Sequence, residues 1–171
     1  MKNPLAYSPA RVAPRRAIEL RAEIDVFHAE YCAALDAADI ERWPGFFCED
    51  ATYRVTSREN ALLGMPVGLM YCEGLDMIRD RAMAIAHSQM FAPRQMVHVL
   101  GITRVVDEDE STIAAQTPFM LVQTLVEGPS TLHLAGIYYD KFLRRADGLV
   151  LFHRDVVHDT EVLATALVYP V

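Results

Sequence analysis

The second half of this chain is built from four long segments of alternating character, at residues 95–106, 112–125, 131–144 and 149–158. Only short acidic or glycine-containing stretches separate them, at 107–110, 127–129 and 146–148. Neighbouring strands joined by so short a loop pair antiparallel, because a parallel pair needs a crossover of about a dozen residues or more. Each segment exceeds the usual strand of about five or six residues, and sheets of such strands must twist and coil. Gly101, Pro118 and Gly136 lie inside the segments and mark expected bulges or bends.

The first half reads differently. Residues 1–14 hold Pro4, Pro9 and Pro14 and form an expected extended arm. Leu20, Ile24, Phe27, Tyr31 and Leu35 recur at helical spacing and predict a helix over 15–38 with one apolar stripe. Asp39 is a candidate N-cap for a short second helix through Trp43 to Phe47, limited by Pro44. A strand is expected at 51–56, a loop broken by Gly64, Pro66 and Gly68 at 59–72, and a third helix at 75–88 with Leu75, Ile78, Ala82 and Ile85 inward. Helices first and a meander second indicate an α+β fold. The expected architecture is a single domain over 15–171, in which a long curved antiparallel sheet wraps the N-terminal helix as a half-open cone. A cone has a mouth, and a mouth can hold a ligand.

A chain of 171 residues with 52% hydrophobic content can bury a substantial core. Its net charge of −7 disfavours nucleic acid, which requires a basic face. No segment approaches the roughly 18 apolar residues of a membrane span. The N-terminus lacks the apolar core of a signal peptide, so a cytoplasmic location is expected. Lys2, Arg11, Arg15 and Arg16 all precede the first acid, Glu19. This basic arm on an acidic body either docks on a neighbouring subunit or frays. Cys32, Cys48 and Cys72 are odd in number and form no C-x-x-C, so reduced, partly buried thiols are expected.

His153-Arg154-Asp155 is the sharpest local pattern, because a His-x-Asp pair with a distant histidine builds the facial triad of non-haem iron enzymes. The only downstream histidine, His158, falls on the opposite face of a continuous strand. The paired Cys-x-His and Cys-x-x-His of a Rieske cluster do not occur, nor do G-x-G-x-x-G, a Walker A motif or H-E-x-x-H. An acid–base site in a cone would draw on Tyr31, Asp36, Tyr53 and His98. Aromatic residues and histidines on core faces need no such role. The expectation is that this chain carries no catalytic, cofactor-binding or metal-binding residue.

The run from Trp43 to Val55, with Phe46-Phe47, Asp50 and Tyr53, resembles the early segment of the beta (small) subunits of bacterial aromatic-ring-hydroxylating dioxygenases. Further similar motifs follow in order: Met77-Ile78-Arg79-Asp80-Arg81; Arg94 with His98 and Leu100-Gly101; Gly136 with Tyr138-Tyr139-Asp140-Lys141-Phe142; and Arg154-Asp155-Val156. The likeness spans residues 17–170. It implies an NTF2-like or cystatin-like cone. It also implies an α3β3 hexamer whose alpha subunit holds the Rieske [2Fe–2S] cluster and the mononuclear Fe(II), with NADH as the distant electron donor. Arg58-Glu59-Asn60, Thr117-Pro118-Phe119-Met120 and Tyr169-Pro170 are similar to small subunits of oxygenases of aryl carboxylic acids, such as salicylate 5-hydroxylase and terephthalate dioxygenase. The alternative from the residues alone is a stand-alone cone-fold dehydratase or isomerase using Tyr53 and His98, or a binding module of the same shape.

Overall fold

A computed structural model describes residues 5–88 and 90–171. The first helix, α1, spans Pro14–Asp36 and buries Leu20, Ile24, Phe27, Tyr31 and Leu35, the predicted stripe. Pro14 opens it, where a missing N–H costs nothing. A 3-10 turn over Ile40–Phe46 follows, tightened around Pro44. The Asp39 side chain makes no capping bond, which corrects that expectation. The chain then enters β1 (Phe47–Ser57), longer than the expected 51–56.

The stretch read as loop contains a short helix and a strand: α2 (Arg58–Leu63) and β2 (Met70–Glu73). The Ser57 hydroxyl accepts the Asn60 N–H, and Gly64 closes the helix in the left-handed region at φ 65°. Next comes α3 (Leu75–His87), with Leu75, Ile78, Ala82 and Ile85 buried as predicted.

The segment expected as one strand over 95–106 is two, β3 (Arg94–Leu100) and β4 (Arg104–Glu108). Both pair with β5 (Thr112–Leu125), β3 against its second half and β4 against its first. Pro118 faces the break between them: Leu100 pairs Phe119, Arg104 pairs Gln116, and the Gly101 N–H donates to the Pro118 carbonyl at 2.7 Å. A proline, lacking a donor, is tolerated where the ladder changes partner. The strands β6 (Ser130–Arg145) and β7 (Gly148–His158) complete the meander.

Among the described residues seven strands form one sheet in the order β2-β1-β7-β6-β5-β3, with β4 on β5. Every pair is antiparallel except β1 with β7, which run parallel. The sheet is therefore mixed, not purely antiparallel as expected. The short-loop argument governs only strands that follow one another, and β1 reaches β7 after the whole meander has been laid down. The ladder slips at His133, Phe152 and Val106, away from the glycine and proline expected to mark bulges. Gly136 serves close approach instead: a Cβ there would lie 2.1 Å from the Val157 carbonyl oxygen. The helix α1 packs across β3, β4 and β7 and closes the inner face of the sheet.

Met1–Pro4 of the expected arm lie outside the described residues. The rest docks on its own body. The Arg11 N–H donates to the bulged Val106 carbonyl at 2.8 Å, Arg104 lies under the Tyr7 ring, and Arg16 forks onto Glu108. Within the chain itself, the acidic partners Asp107 and Glu108 are supplied by β4.

Candidate functional site

The polar groups that could do chemistry fall into three places. The deepest is inside the cone. Arg154 on β7 and Asp140 on β6 are register partners, and both point inward with fully buried side chains. Arg154 donates from Nε to Asp140 Oδ1 at 2.8 Å and from Nη2 to Oδ2 at 2.7 Å. Its guanidinium lies between two phenol rings, 4.4 Å from the Tyr31 centroid and 4.2 Å from that of Tyr138. From α1, His28 adds Nε2 at 2.9 Å from Arg154 Nη2.

That contact sets the tautomer. An arginine can only donate, so His28 Nε2 is the acceptor and the neutral ring carries its proton on Nδ1. Burial pushes His28 below its ordinary value despite the nearby Asp140 carboxylate. The 3.4 Å approach of His28 to Asp140 is thus a contact of a neutral ring, not an ion pair. Burial opposes ionisation of Asp140 too, but the Arg154 charge prevails and holds its carboxyl below the usual range.

A second network shares Tyr31. Trp43 Nε1–H donates to the Tyr31 hydroxyl at 3.0 Å. The Tyr31 and Tyr53 hydroxyls both donate to the Val171 main-chain oxygen, each at 3.1 Å, and the Val171 N–H donates to the Tyr53 oxygen at 2.8 Å. Burial raises the Tyr31 phenol to about 12 and Tyr53 well above its ordinary value, so neither ionises near neutrality.

At the edge of the cone, His98 on β3 meets Asp36 at the end of α1. The His98 ring donates from Nδ1 to Asp36 Oδ1 at 2.6 Å, and its backbone N–H reaches both carboxylate oxygens at 3.1 and 3.2 Å. A carboxylate on the backbone of β3, the outermost strand on this side, also occupies a donor that would otherwise be open to another strand. A groove of about 570 Å³ runs beside this pair, lined by Arg21, His28, Cys32, His98, Ile102 and Thr103 among others.

The third place is the outer face of the sheet. His153 Nδ1 lies 2.5 Å from the Thr52 hydroxyl, and its Nε2 lies 3.3 Å from Asp155. Asp155 is forked by Arg54 at 2.9 and 2.7 Å. His158 lies on the inner face, with Nδ1 on the Thr160 carbonyl at 2.9 Å. The structure therefore pairs His153 with Asp155 and separates both from His158. Among the described residues no group of three or more His, Cys, Asp or Glu is arranged to hold a metal. Cys32, Cys48 and Cys72 are buried thiols on α1, β1 and β2.

Of the four acid–base candidates, the fold joins Asp36 to His98 and Tyr31 to Tyr53. It places the Tyr31 pair beside a cluster that sequence reasoning missed, His28–Asp140–Arg154. Arg154 is a cation buried in the core. The signal was present: Asp140 falls between Tyr138 and Phe142 on one face of a strand, a carboxylate within an apolar stripe.

Three buried histidines sit in settings that disfavour charge. Desolvation lowers His28, His133 and His158 from an ordinary 6.5. The unfolded chain takes up protons below that value while the folded chain resists, so their stabilisation is full above about pH 6.5 and is lost as pH falls. The Tm is expected to drop between pH 7 and pH 5, before the carboxylates titrate. A calorimetric scan at constant ionic strength that shows a flat Tm over this range refutes the assignment.

A SnoaL-like domain model matches residues 16–155. The chain is 34% identical over 149 residues to the anthranilate 1,2-dioxygenase small subunit of Burkholderia cepacia, covering 87% of this chain and 92% of that one. It is 31% identical over 148 residues to a terephthalate 1,2-dioxygenase terminal oxygenase component subunit beta of a Comamonas species, covering 86% and 96%. In Novosphingobium aromaticivorans, a crystal structure described as the beta subunit of an aromatic-ring-hydroxylating dioxygenase matches with a TM-score of 0.83 at 29% identity, over 91% of this chain and 99% of that one. With matches that run nearly end to end and a mixed sheet closed by α1, the chain belongs to the family of small, or beta, subunits of aromatic-ring-hydroxylating dioxygenases.

Proposed function

We propose that this chain is the non-catalytic scaffold of a cytoplasmic ring-hydroxylating oxygenase whose substrate is an aryl carboxylic acid. Residues 15–171 act as one unit, associate as a trimer and seat three alpha subunits in an α3β3 hexamer. The Rieske [2Fe–2S] cluster and the mononuclear Fe(II) belong to the alpha subunit, and NADH supplies electrons through a reductase. One observation carries the reading: the candidate acid–base groups of the cone are engaged with each other or with the main chain rather than presented to a reactant. Tyr31 and Tyr53 both donate to Val171, and His98 is paired with Asp36. The donor sets speak the same way. The buried cysteines lie on three separate elements, and Asp155 already faces Arg54.

Support for partners comes from two separate apolar surfaces. Val97, Val99, Met120 and Leu132 are exposed on the outer sheet face, where Val99 and Met120 are register partners. Leu63 at the end of α2 and Met65, Val67 and Leu69 between α2 and β2 are exposed. Two unlike patches suit a heterologous, ring-closing contact better than a two-fold one. The aryl-carboxylate assignment follows the relatives, named for anthranilate and terephthalate.

The test is reconstitution. The chain expressed alone is expected to bind no iron and to hydroxylate nothing, whereas co-expression with its alpha partner yields an active assembly in NADH-coupled oxygen uptake. Stoichiometric iron on the lone chain, or a turnover abolished by His98→Ala with the fold intact, would favour the cone-enzyme alternative.

A further inference from the structure

We propose that the inner end of the cone is a binding site for a small apolar carboxylic acid, occupied in this structure by the chain's own Val171. The proposal stands on the interior geometry and goes beyond the scaffold reading. Two phenol hydroxyls converging on one oxygen, one of them braced by an indole N–H, make a cradle for a carboxyl oxygen rather than a generic core contact. Val171 fills that cradle as a ligand would, with its oxygen on both phenols and its side chain fully buried in the aromatic core.

The surroundings favour an acid. The Arg154 guanidinium lies against the face of the Tyr31 ring, 4.4 Å from its centroid. Two donors of the same cluster, Arg154 Nη1 and the Tyr138 hydroxyl, are buried and have no hydrogen-bond partner among the described residues. Buried donors left unpaired are uncommon and costly, and a second carboxyl oxygen would answer them.

The segment that delivers Val171 is irregular and partly exposed. Residues 159–171 carry no helix or strand, and Glu161, Val162, Ala164 and Ala166 are exposed. Its first two residues are tied to β6, where the Asp159 N–H donates to the Ala135 carbonyl at 2.8 Å and the Ala135 N–H to the Thr160 hydroxyl at 3.0 Å. Beyond them the segment is held by side chains: Arg94 to Thr165 and Ala166 at 3.1 and 3.3 Å, Arg81 to the Val168 carbonyl at 3.3 Å, Tyr169 edge-on to Phe91, and Leu163 and Leu167 against the core. Withdrawing residues 161–171 leaves the two bonds to β6 and every strand pair in place. The segment and the acid compete for one cradle, so occupancy of the interior is coupled to the path of the segment over β3 and α3.

The test uses the full chain and benzoate or isobutyrate as probe. The Val171 amide, bonded to the Tyr53 oxygen, reports displacement directly. Its hydrogen exchange, followed by NMR, is expected to accelerate at least threefold at saturating probe. An exchange rate unchanged by the acid overturns the proposal. A variant lacking residues 169–171 supplies the second measurement, with Trp43, the only tryptophan, as the fluorescent reporter. If this variant keeps the parent's circular dichroism, it should bind benzoate at least tenfold more tightly than the full chain, and adding Tyr53→Phe should weaken that binding at least fivefold. A folded variant with no saturable Trp43 response, or one that takes benzyl alcohol as well as benzoate, overturns the carboxyl assignment. Should the variant fail to fold, the exchange experiment on the full chain decides. Neither measurement involves the alpha subunit, so failure here leaves the reconstitution result standing.

Discussion

Replacing Arg154 with alanine is expected to destabilise the chain by about 3–5 kcal/mol, the range for breaking one partner of a buried ion pair. The side chains of Arg154 and Asp140 are both fully buried. Removing the guanidinium leaves the Asp140 carboxylate without the two bonds that keep it ionised inside the cone. It also empties the space between the Tyr31 and Tyr138 rings. The loss is chiefly that of an orphaned charge, so removing both charges should be less harmful than the sum of the single losses. Asp140→Leu combined with Arg154→Met is therefore expected to recover much of the stability lost in either single variant. Urea denaturation of the four proteins of this cycle measures the coupling. An Arg154→Ala midpoint equal to that of the parent would contradict the buried cluster outright.

Trp43→Ala should cost a similar amount, on the order of 3–5 kcal/mol, as large aromatic truncations in cores do. Trp43 is 0% exposed, with its ring edge-on to Phe47 at 5.3 Å and to Tyr53 at 5.1 Å. Its indole N–H also braces the Tyr31 hydroxyl, which a phenylalanine cannot do. Trp43→Phe is thus expected to keep most of the packing and lose roughly 1 kcal/mol from the missing hydrogen bond. Thermal melts of both variants would separate the two contributions. Melting of Trp43→Ala at the parent temperature would show that the residue is not a core anchor.

Much of the fold is legible in the residues. The stripe from Leu20 to Leu35 required a helix with one buried face, and α1 has it. Strict alternation through Ile113, Ala115, Thr117, Phe119 and Leu121 set which side of β5 faces inward. The short turns made the meander antiparallel. Less of the region between β1 and α3 could be read. Its glycines and prolines look like punctuation for a loop, yet Ser57 and Gly64 bracket a helix of six residues that neither period nor propensity announces. The strand β2 is only four residues long and depends on pairing with β1. Pro118 and Gly101 misled as well: one strand or two depended on what lay across from Pro118, which only the partner strands reveal.

The candidate site divides along the same line. By itself the sequence determined the α+β class, the buried helix stripe and the lack of Rieske cluster motifs, because these depend on local spacing and residue chemistry. Tertiary structure alone decided that β1 runs parallel to β7, that the basic arm folds onto its own β4, and that Val171 returns to the phenols of Tyr31 and Tyr53. It also decided the fate of Arg154. Alternation put that residue on one face of β7, but whether the face meets water or the cone depends on α1 and β6 arriving with His28 and Asp140. Contacts between residues 14 or more than 100 positions apart carry no local period, and the free energy that selects them appears only when the chain has closed around them.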